Sequence, residues 1–198
     1  MSKVAAPTPA PSARKVLNVT DGNFEVTDVN GTVIFKVNQR ILSLHGHRVL
    51  FDGNGNPVVT VRDKIMSAHD RWKVYRGEST EESDLIFSVT RTSIVQLRTK
   101  LHVFLANNTK EDACDFRVEA NFSESSCVVY AGQSSSKVAK MEKNKTVRSV
   151  LFGKDHLKVT IDPNIDYGFI VALIVILDAI PSQLATARSV ISGMRLVS

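Results

Sequence analysis

The stretch D-Y-G-F-I-V-A-L-I-V-I-L-D-A-I-P, from Asp166 to Pro181, decides the fold of this protein. Its run from Tyr167 to Leu177 carries no charge, whereas the rest of the chain is polar, basic and rich in short alternating segments. Such a run is typical of a membrane anchor, a central β-strand or a helix buried on every side.

The length of the apolar run argues against a membrane anchor. As a helix, Tyr167 to Leu177 would extend only ~17 Å at 1.5 Å per residue, whereas the hydrocarbon core of a bilayer is ~30 Å thick. A longer span would bury Asp178 and then meet Pro181. A spanning helix is therefore not predicted.

The ends of the run favour a helix over a strand. Asp162-Pro163 and Asp166 are both suitable N-terminal caps, and Pro181 favours an end at or before Ile180. A run of about 14 residues is long for a strand and ordinary for a helix. We predict a central helix over 165–180 that is enclosed on all sides. Its structural side chains are Tyr167, Phe169, Ile170, Leu173, Ile174 and Leu177.

The segment from Asn23 to Ile161 reads as short strands separated by turns. Phe24 to Val37 predicts a hairpin that turns at Asn30-Gly31, and Val49 to Val61 repeats this pattern around Asp52-Gly53-Asn54-Gly55. Further predicted strands are Arg71–Arg76, Leu85–Thr90, Leu101–Leu105, Asp115–Ala120, Cys127–Tyr130, Lys137–Met141, Val147–Phe152 and His156–Ile161.

Together these elements predict a mainly β fold. Many antiparallel strands must bury one face and protect their edges, and closing the sheet into a barrel does both. A barrel that encloses a helix ~10–12 Å across must be wider than an eight-stranded one. We therefore predict an antiparallel closed barrel of about twelve strands around the central apolar C-terminal α-helix.

The predicted domain organisation has three parts. Residues 1–18 are rich in Pro, Ala and Ser without an apolar core, so we predict a disordered tail rather than a signal peptide. Residues 19–181 form the barrel domain. Residues 182–198 are a C-terminal extension of unassigned structure, for which a weak amphipathic helix and a disordered end both stay open.

The residues of several segments together resemble one known family. V-T-D-V-N-G-T-V-I-F-K-V, L-F-D-G-N-G-N-P-V-V-T-V-R-D-K, S-A-H-D-R-W-K-V-Y-R-G and the D-P-N-I-D-Y-G-F-I-V-A-L-I-V-I-L-D-A-I stretch are similar to the plant LURP-one-related family, over about Val16 to Ile180. The resemblance implies a tubby-like fold, related to tubby C-terminal domains and phospholipid scramblases. It also implies genes induced in plant defence against pathogens.

Catalytic and metal-binding patterns are weak. The sequence lacks G-x-S-x-G, Walker A, H-E-x-x-H and paired-cysteine motifs, so we expect no enzyme activity and no cofactor. His45 and His47 could form a metal pair, but two surface histidines fit the pattern better because no third ligand has suitable spacing. Cys114 and Cys127 fit buried strand residues, and Trp72 fits a core aromatic better than an interfacial anchor.

Basic residues cluster in two segments of a chain whose formal net charge is +5. Lys36 to Arg76 holds eight Lys/Arg against three Asp, and Lys137 to Lys158 holds seven against Glu142 and Asp155. An acidic turn of Glu78, Glu81, Glu82 and Asp84 lies between them. The predicted anionic-lipid contacts are Arg71, Lys73, Arg76, Lys137, Lys140, Lys143 and Lys145. The alternative is a mixed, solvated surface.

Three classes of function stay open at this point. The favoured one is a lipid-surface or signalling module, since in tubby domains a basic surface binds phosphatidylinositol bisphosphate. The others are a tubby-like membrane-tethered transcription regulator or protein scaffold, and an enzyme or scramblase. No helix-turn-helix, zinc finger or basic helix supports direct nucleic-acid binding. With two cysteines and no signal peptide, we expect an intracellular monomer, cytoplasmic, peripheral to membranes or nuclear.

Overall fold

The computed structural model describes residues 15–20, 24–39, 47–64, 70–95, 98–121, 126–143 and 156–194. These residues form twelve strands, one short 3-10 helix and one long α-helix. The strands are β1 Lys15–Thr20, β2 Glu25–Thr27, β3 Val33–Gln39, β4 His47–Asp52, β5 Pro57–Lys64, β6 Arg71–Arg76, β7 Leu85–Val95, β8 Arg98–Leu105, β9 Phe116–Asn121, β10 Ser126–Ala131, β11 Lys137–Lys143 and β12 His156–Ile161. The helices are η1 Glu82–Asp84 and α1 Tyr167–Met194.

The strands close into an antiparallel barrel, which confirms the predicted fold class. Each strand pairs with its neighbours in the sequence, and β1 pairs with both β2 and β12. The closing register runs from Lys15 opposite Ile161 to Thr20 opposite His156. Full closure leaves no open sheet edge among the described strands.

The two predicted hairpins repeat one hydrogen-bonded turn. Asp28 Oδ1 accepts the backbone N–H groups of Asn30 and Thr32, both at 2.8 Å. Asp52 Oδ1 accepts those of Asn54 at 2.9 Å and Asn56 at 2.8 Å. Gly31 and Gly55 have φ of 83° and 87°, which glycine adopts without a Cβ clash. The internal repeat is therefore also a repeat of local chemistry.

The helix α1 fills the barrel. Every residue from Ile170 to Leu177 is buried, and this run covers all sides of a helix because successive side chains turn by about 100°. Near the start of the helix, the Phe169 ring lies 5.0 Å from that of Phe87 and 4.8 Å from that of Phe116. Tyr167 packs against Phe35 with ring centroids 5.5 Å apart. The central helix is confirmed as a structural element.

The helix begins two residues after the predicted start, directly behind the predicted cap Asp166, and ends later than predicted. Asp166 Oδ1 accepts the N–H of Phe169 at 2.7 Å, which caps the first turn. The prediction that Pro181 ends the helix is wrong, since α1 continues to Met194 and includes most of the predicted extension at 182–198. An interior proline removes one backbone donor and crowds the carbonyl four residues earlier, but it leaves later turns able to form because they continue a helix that is already nucleated.

The predicted disordered tail at 1–18 also needs correction at its end. Lys15 to Asn18 belong to β1, and the buried Leu17 and Val19 alternate with less buried neighbours. The strand pairs with nearby β2 over only three residue pairs, and its longer pairing is with β12, which lies far away in the sequence. Residues 1–14 and the predicted strand Val147–Phe152 lie outside the described residues.

One cation inside the barrel contacts the helix backbone. The Arg48 side chain on β4 donates from Nη1 to the carbonyl of Val175 at 2.8 Å. The same nitrogen lies 3.5 Å from Asp178 Oδ2. Because the barrel wall touches α1 mostly through apolar side chains, this pair gives the helix a directional contact in addition to packing.

Candidate anion-binding surfaces

The predicted basic group on β6 is largely neutralised by the protein's own carboxylates. Arg71 forms an ion pair with Glu111, which lies in the connection 106–115 between β8 and β9. Lys73 forms an ion pair with Glu82 of η1. Arg76, at the end of β6, is exposed and has no ion-pair partner among the described residues. Two of the three predicted cations on β6 are therefore paired with acidic side chains.

The second predicted group lies on and beyond β11. Lys137 and Lys140 are exposed, and Lys140 Nζ lies 2.5 Å from Glu142 Oε2. Lys143 is the last residue of β11, and Lys145 lies outside the described residues. Since β6 and β11 are five strands apart in the barrel order, the two predicted groups face different directions.

The barrel instead extends the β11 group across neighbouring strands. We define the basic face as the outward cations of β8, β9, β11 and β12, with the outer side of β10 between them. Its members alternate with buried inward residues such as Leu101, Val118 and Val159. They are Arg98, Lys100, Arg117, Lys137, Lys140 and Lys158. The carboxylates of the same strands are Glu119 and Glu142.

The register places these charges next to one another. Lys100 lies opposite Glu119, and Glu142 lies opposite Lys158. Lys100 Nζ is 3.5 Å from Glu119 Oε1, while the lysine side chain stays 57% exposed and available to a ligand. With six cations against two carboxylates, the basic face keeps an excess of positive charge.

Titratable groups on the basic face respond to this excess. The hydrogen bond from Lys140 lowers the pKa of Glu142, and the charges of Lys140 and Lys158 lower it further. Burial lowers the pKa of His102, with additional effects from Arg117 and Lys100. The smaller contributions from the charges of Arg117, Lys100, Lys140 and Lys158 are those expected of a positive potential on this side of the barrel.

Arg117 is held more tightly than the lysines around it. Its guanidinium stacks over Tyr130 at 4.7 Å from the ring centroid, and its Nε lies 3.3 Å from Glu119 Oε1. Its side chain is only 19% exposed. Arg117 therefore supplies fixed charge under the basic face, while Lys137, Lys140 and Lys158 reach into solvent.

Sequence reasoning missed Arg98, Lys100, Arg117 and Lys158 as surface partners of the β11 group. The available signal was the alternation of basic and apolar residues in R-T-K-L-H-V and H-L-K-V-T-I. Assigning those residues to one face also requires the strand order, which brings β8, β9, β11 and β12 to one side of the barrel.

The tryptophan and histidines considered in the sequence analysis do not form a common site in the described residues. Trp72 is 1% exposed and faces the barrel interior, which confirms a core aromatic. His47 is in β4, whereas His45 lies outside the described residues. In the part of the chain that the structure describes, no group of three or more His, Cys, Asp or Glu side chains could hold a metal ion.

Cys127 is expected to resist thiol reagents in the native protein. Burial raises the pKa of Cys127 to about 12, so at pH 8 it holds about a thousandfold less thiolate than a free thiol. In a Cys114→Ser variant, iodoacetamide should label Cys127 only after denaturation, as followed by mass spectrometry. Labelling of the folded variant at the rate of the denatured one would show that the thiol is accessible.

The chain is similar in sequence to one protein family and in structure to a solved protein. Residues 12–178 match the family model described as LURP-one-related. The chain is 53% identical to the Arabidopsis thaliana protein LURP-one-related 15 over 89% of this chain and 82% of that protein. It is 51% identical to LURP1 of the same plant, over 89% and 86%. An X-ray structure of an Arabidopsis thaliana protein, 44% identical, superimposes with a TM-score of 0.66 over 84% of this chain and 92% of that one.

The fold defines this protein as a helix-filled, closed antiparallel β-barrel. The chain belongs to the LURP-one-related family. The family match ends at residue 178, so the last turns of α1 lie outside it. No helix in the described ranges is long and apolar enough to cross a membrane.

Proposed function

We propose that this protein is a non-enzymatic module that attaches reversibly to anionic membrane surfaces through the basic face. The observation that carries the proposal is the excess of six cations over two carboxylates across neighbouring strands β8–β12. Its ligand is anionic phospholipid, with phosphoinositides as the favoured headgroups. The apolar helix stays inside the barrel and takes no part in attachment.

Electrostatic magnitudes support a weak, reversible contact. Each Lys or Arg close to an anionic bilayer contributes about 1 kcal/mol. Exposed charges interact within a screening length of ~8–10 Å near physiological ionic strength. Lys140 and Lys158 are exposed and close to the same carboxylate, Glu142, so they act as neighbouring contacts. Attachment through such side chains weakens sharply as salt rises.

The proposed role is signalling rather than catalysis. A membrane-tethered signalling module linked to plant defence agrees with the family resemblance. A protein-interaction scaffold and a tubby-like transcription regulator are the alternatives that the same experiment separates. The basic charge alone does not choose between phospholipid and nucleic acid, since both are polyanions.

Neutralising the basic face is expected to reduce membrane binding. Lys140→Gln with Lys158→Gln should weaken binding to phosphatidylserine-containing vesicles by about 2 kcal/mol, or roughly thirtyfold at low salt. The matched control is Lys36→Gln with Arg76→Gln, which removes the same charge elsewhere on the barrel. It should change the affinity by less than about threefold.

The measurement is co-sedimentation with phosphatidylcholine vesicles, with and without phosphatidylserine or phosphatidylinositol bisphosphate, at low and physiological salt. A duplex DNA arm is run at matched salt. If the wild-type protein does not bind anionic vesicles at low salt, the lipid proposal is overturned. The protein-interaction scaffold is then the remaining alternative. Tighter binding to DNA than to vesicles, lost in the basic-face variant, favours the transcription regulator.

A further inference from the structure

A second group of cations lies on the outer side of β5 and β6, separated by β7 from the β8 edge of the basic face. Arg62 on β5 lies opposite Lys73 on β6, and Arg71 is two residues away on the same side of its strand. On β7, Ser88 lies opposite Lys73 and Thr90 lies opposite Arg71. Three cations and two hydroxyl groups therefore converge on three neighbouring strands.

Two carboxylates from separate connections occupy this group. Glu111 pairs with Arg71 and accepts a hydrogen bond from Ser88 Oγ at 3.3 Å. Glu82 pairs with Lys73 and accepts one from Tyr75 Oη at 3.4 Å. Each carboxylate thus binds one cation and one hydroxyl, which is the set of donors that phosphate oxygens also use.

The connection that delivers Glu111 has an unfavourable backbone conformation. Glu111 has φ of 54°, a left-handed value that residues other than glycine rarely adopt. Its N–H donates to Asn108 Oδ1 at 3.2 Å, which holds the turn. Thr90 Oγ1, beside Arg71 on the neighbouring strand, is buried without a hydrogen-bond partner among the described residues. Residues with a strained backbone, such as Glu111, often occur where a segment holds a ligand site.

The exposure of the two carboxylates differs. The Glu82 side chain is 65% exposed, whereas that of Glu111 is 32% exposed. Glu82 can therefore leave Lys73 without moving the barrel wall, because its side chain already lies mostly in solvent. Displacing Glu111 requires the connection 106–115 to move.

We propose that Arg62, Arg71 and Lys73, with the Ser88 hydroxyl, form a phosphate-binding site that Glu82 and Glu111 occupy in this structure. A ligand with several phosphate groups binds there when the carboxylates are displaced. That ligand is a phosphorylated headgroup or a soluble inositol phosphate. The site uses none of the six cations of the basic face, although β7 lies between the two groups.

Removing the competing carboxylates is expected to open the site. Glu82→Gln with Glu111→Gln should increase affinity for inositol hexakisphosphate on the order of tenfold, as measured by calorimetry. The matched control is Glu78→Gln with Glu81→Gln, which removes the same charge nearby. These two residues form no ion pair among the described residues, so the control should gain less than about threefold. Adding Arg71→Gln and Lys73→Gln to the first variant should abolish its gain.

The comparison of variants separates a site from a change in net charge. Equal gains in both double variants, or no gain in either, overturn the proposal. If Glu82→Gln with Glu111→Gln does not fold, as judged by circular dichroism, the exposed Glu82→Gln alone is compared with Glu81→Gln, and an equal response overturns the proposal. Phosphoinositide vesicles tested beside the soluble probe identify the source of the phosphate. Because Lys140 and Lys158 are unchanged, failure here leaves the basic-face test intact.

Discussion

Ile174→Asp is expected to abolish cooperative folding. Ile174 is 4% exposed and lies in the turn of α1 that the barrel wall surrounds. A carboxylate at this position would be buried without a partner, at a cost of several kcal/mol. The total stability of a domain is only about 5–15 kcal/mol, so the variant should aggregate or melt far below the wild type. Thermal circular dichroism and soluble yield measure this.

The control for this change is Val29→Asp at the tip of the first hairpin. Val29 is 68% exposed, so the same carboxylate stays in water and should change stability by less than about 0.5 kcal/mol. A soluble Ile174→Asp protein with a wild-type melting temperature would contradict a helix enclosed by the barrel.

Trp72→Ala is the second change with a large expected effect. Trp72 is among the largest fully buried side chains and packs inside the barrel. Truncation should destabilise the protein by about 3–5 kcal/mol, as urea denaturation would show. Trp72→Phe should cost less, since it keeps an aromatic ring and removes an Nε1 donor that has no partner among the described residues.

Trp72 also provides a readout of membrane contact. It is the only tryptophan of the chain, so its fluorescence reports the barrel interior alone. Emission should stay unchanged when anionic vesicles bind the basic face. A shift on binding, or a Trp72→Ala protein as stable as the wild type, would place the indole at the surface instead.

The central helix was predictable because its signals are local and agree. The segment from Asp166 to Pro181 contains an uncharged run and an aspartate that can cap a helix. It is also longer than most strands. The turns at Asp28 and Asp52 were predictable for the same reason, since Asx and glycine chemistry sets the hairpin. These features need no knowledge of distant residues.

Two boundaries were wrong because distant contacts or cooperativity decide them. Strand β1 forms most of its pairs with the distant β12, and a short K-V-L-N-V-T segment beside a Pro-rich stretch carries little signal of its own. The helix continues past Pro181 although the proline lacks a backbone donor, so this residue does not mark the helix end. Sequence preferences at proline are biases rather than stops.

For the candidate anion-binding surfaces, the sequence shows which segments are basic but not which side chains lie together. Arg71 and Lys73 look like ligand contacts in the sequence, yet Glu111 and Glu82 come from separate connections to cover them. In contrast, Lys100 and Lys158 become candidate ligand contacts only once the strand order places them on the same side of the barrel as Lys140. Charge runs identify the residues, whereas strand order decides which of them share a face.

The pairing of β1 with β12 also governs how a new chain matures during synthesis. The first described strand can pair early with β2, but it cannot pair with β12 until residue 161 has been translated, which takes roughly 10–30 seconds at 5–20 residues per second. During that interval the sheet is open, and the hydrophobic lining meant for α1 faces water. We therefore expect nascent chains to be most prone to aggregation in this interval, and the long-range joining of β1 and β12 to be a slow step of folding.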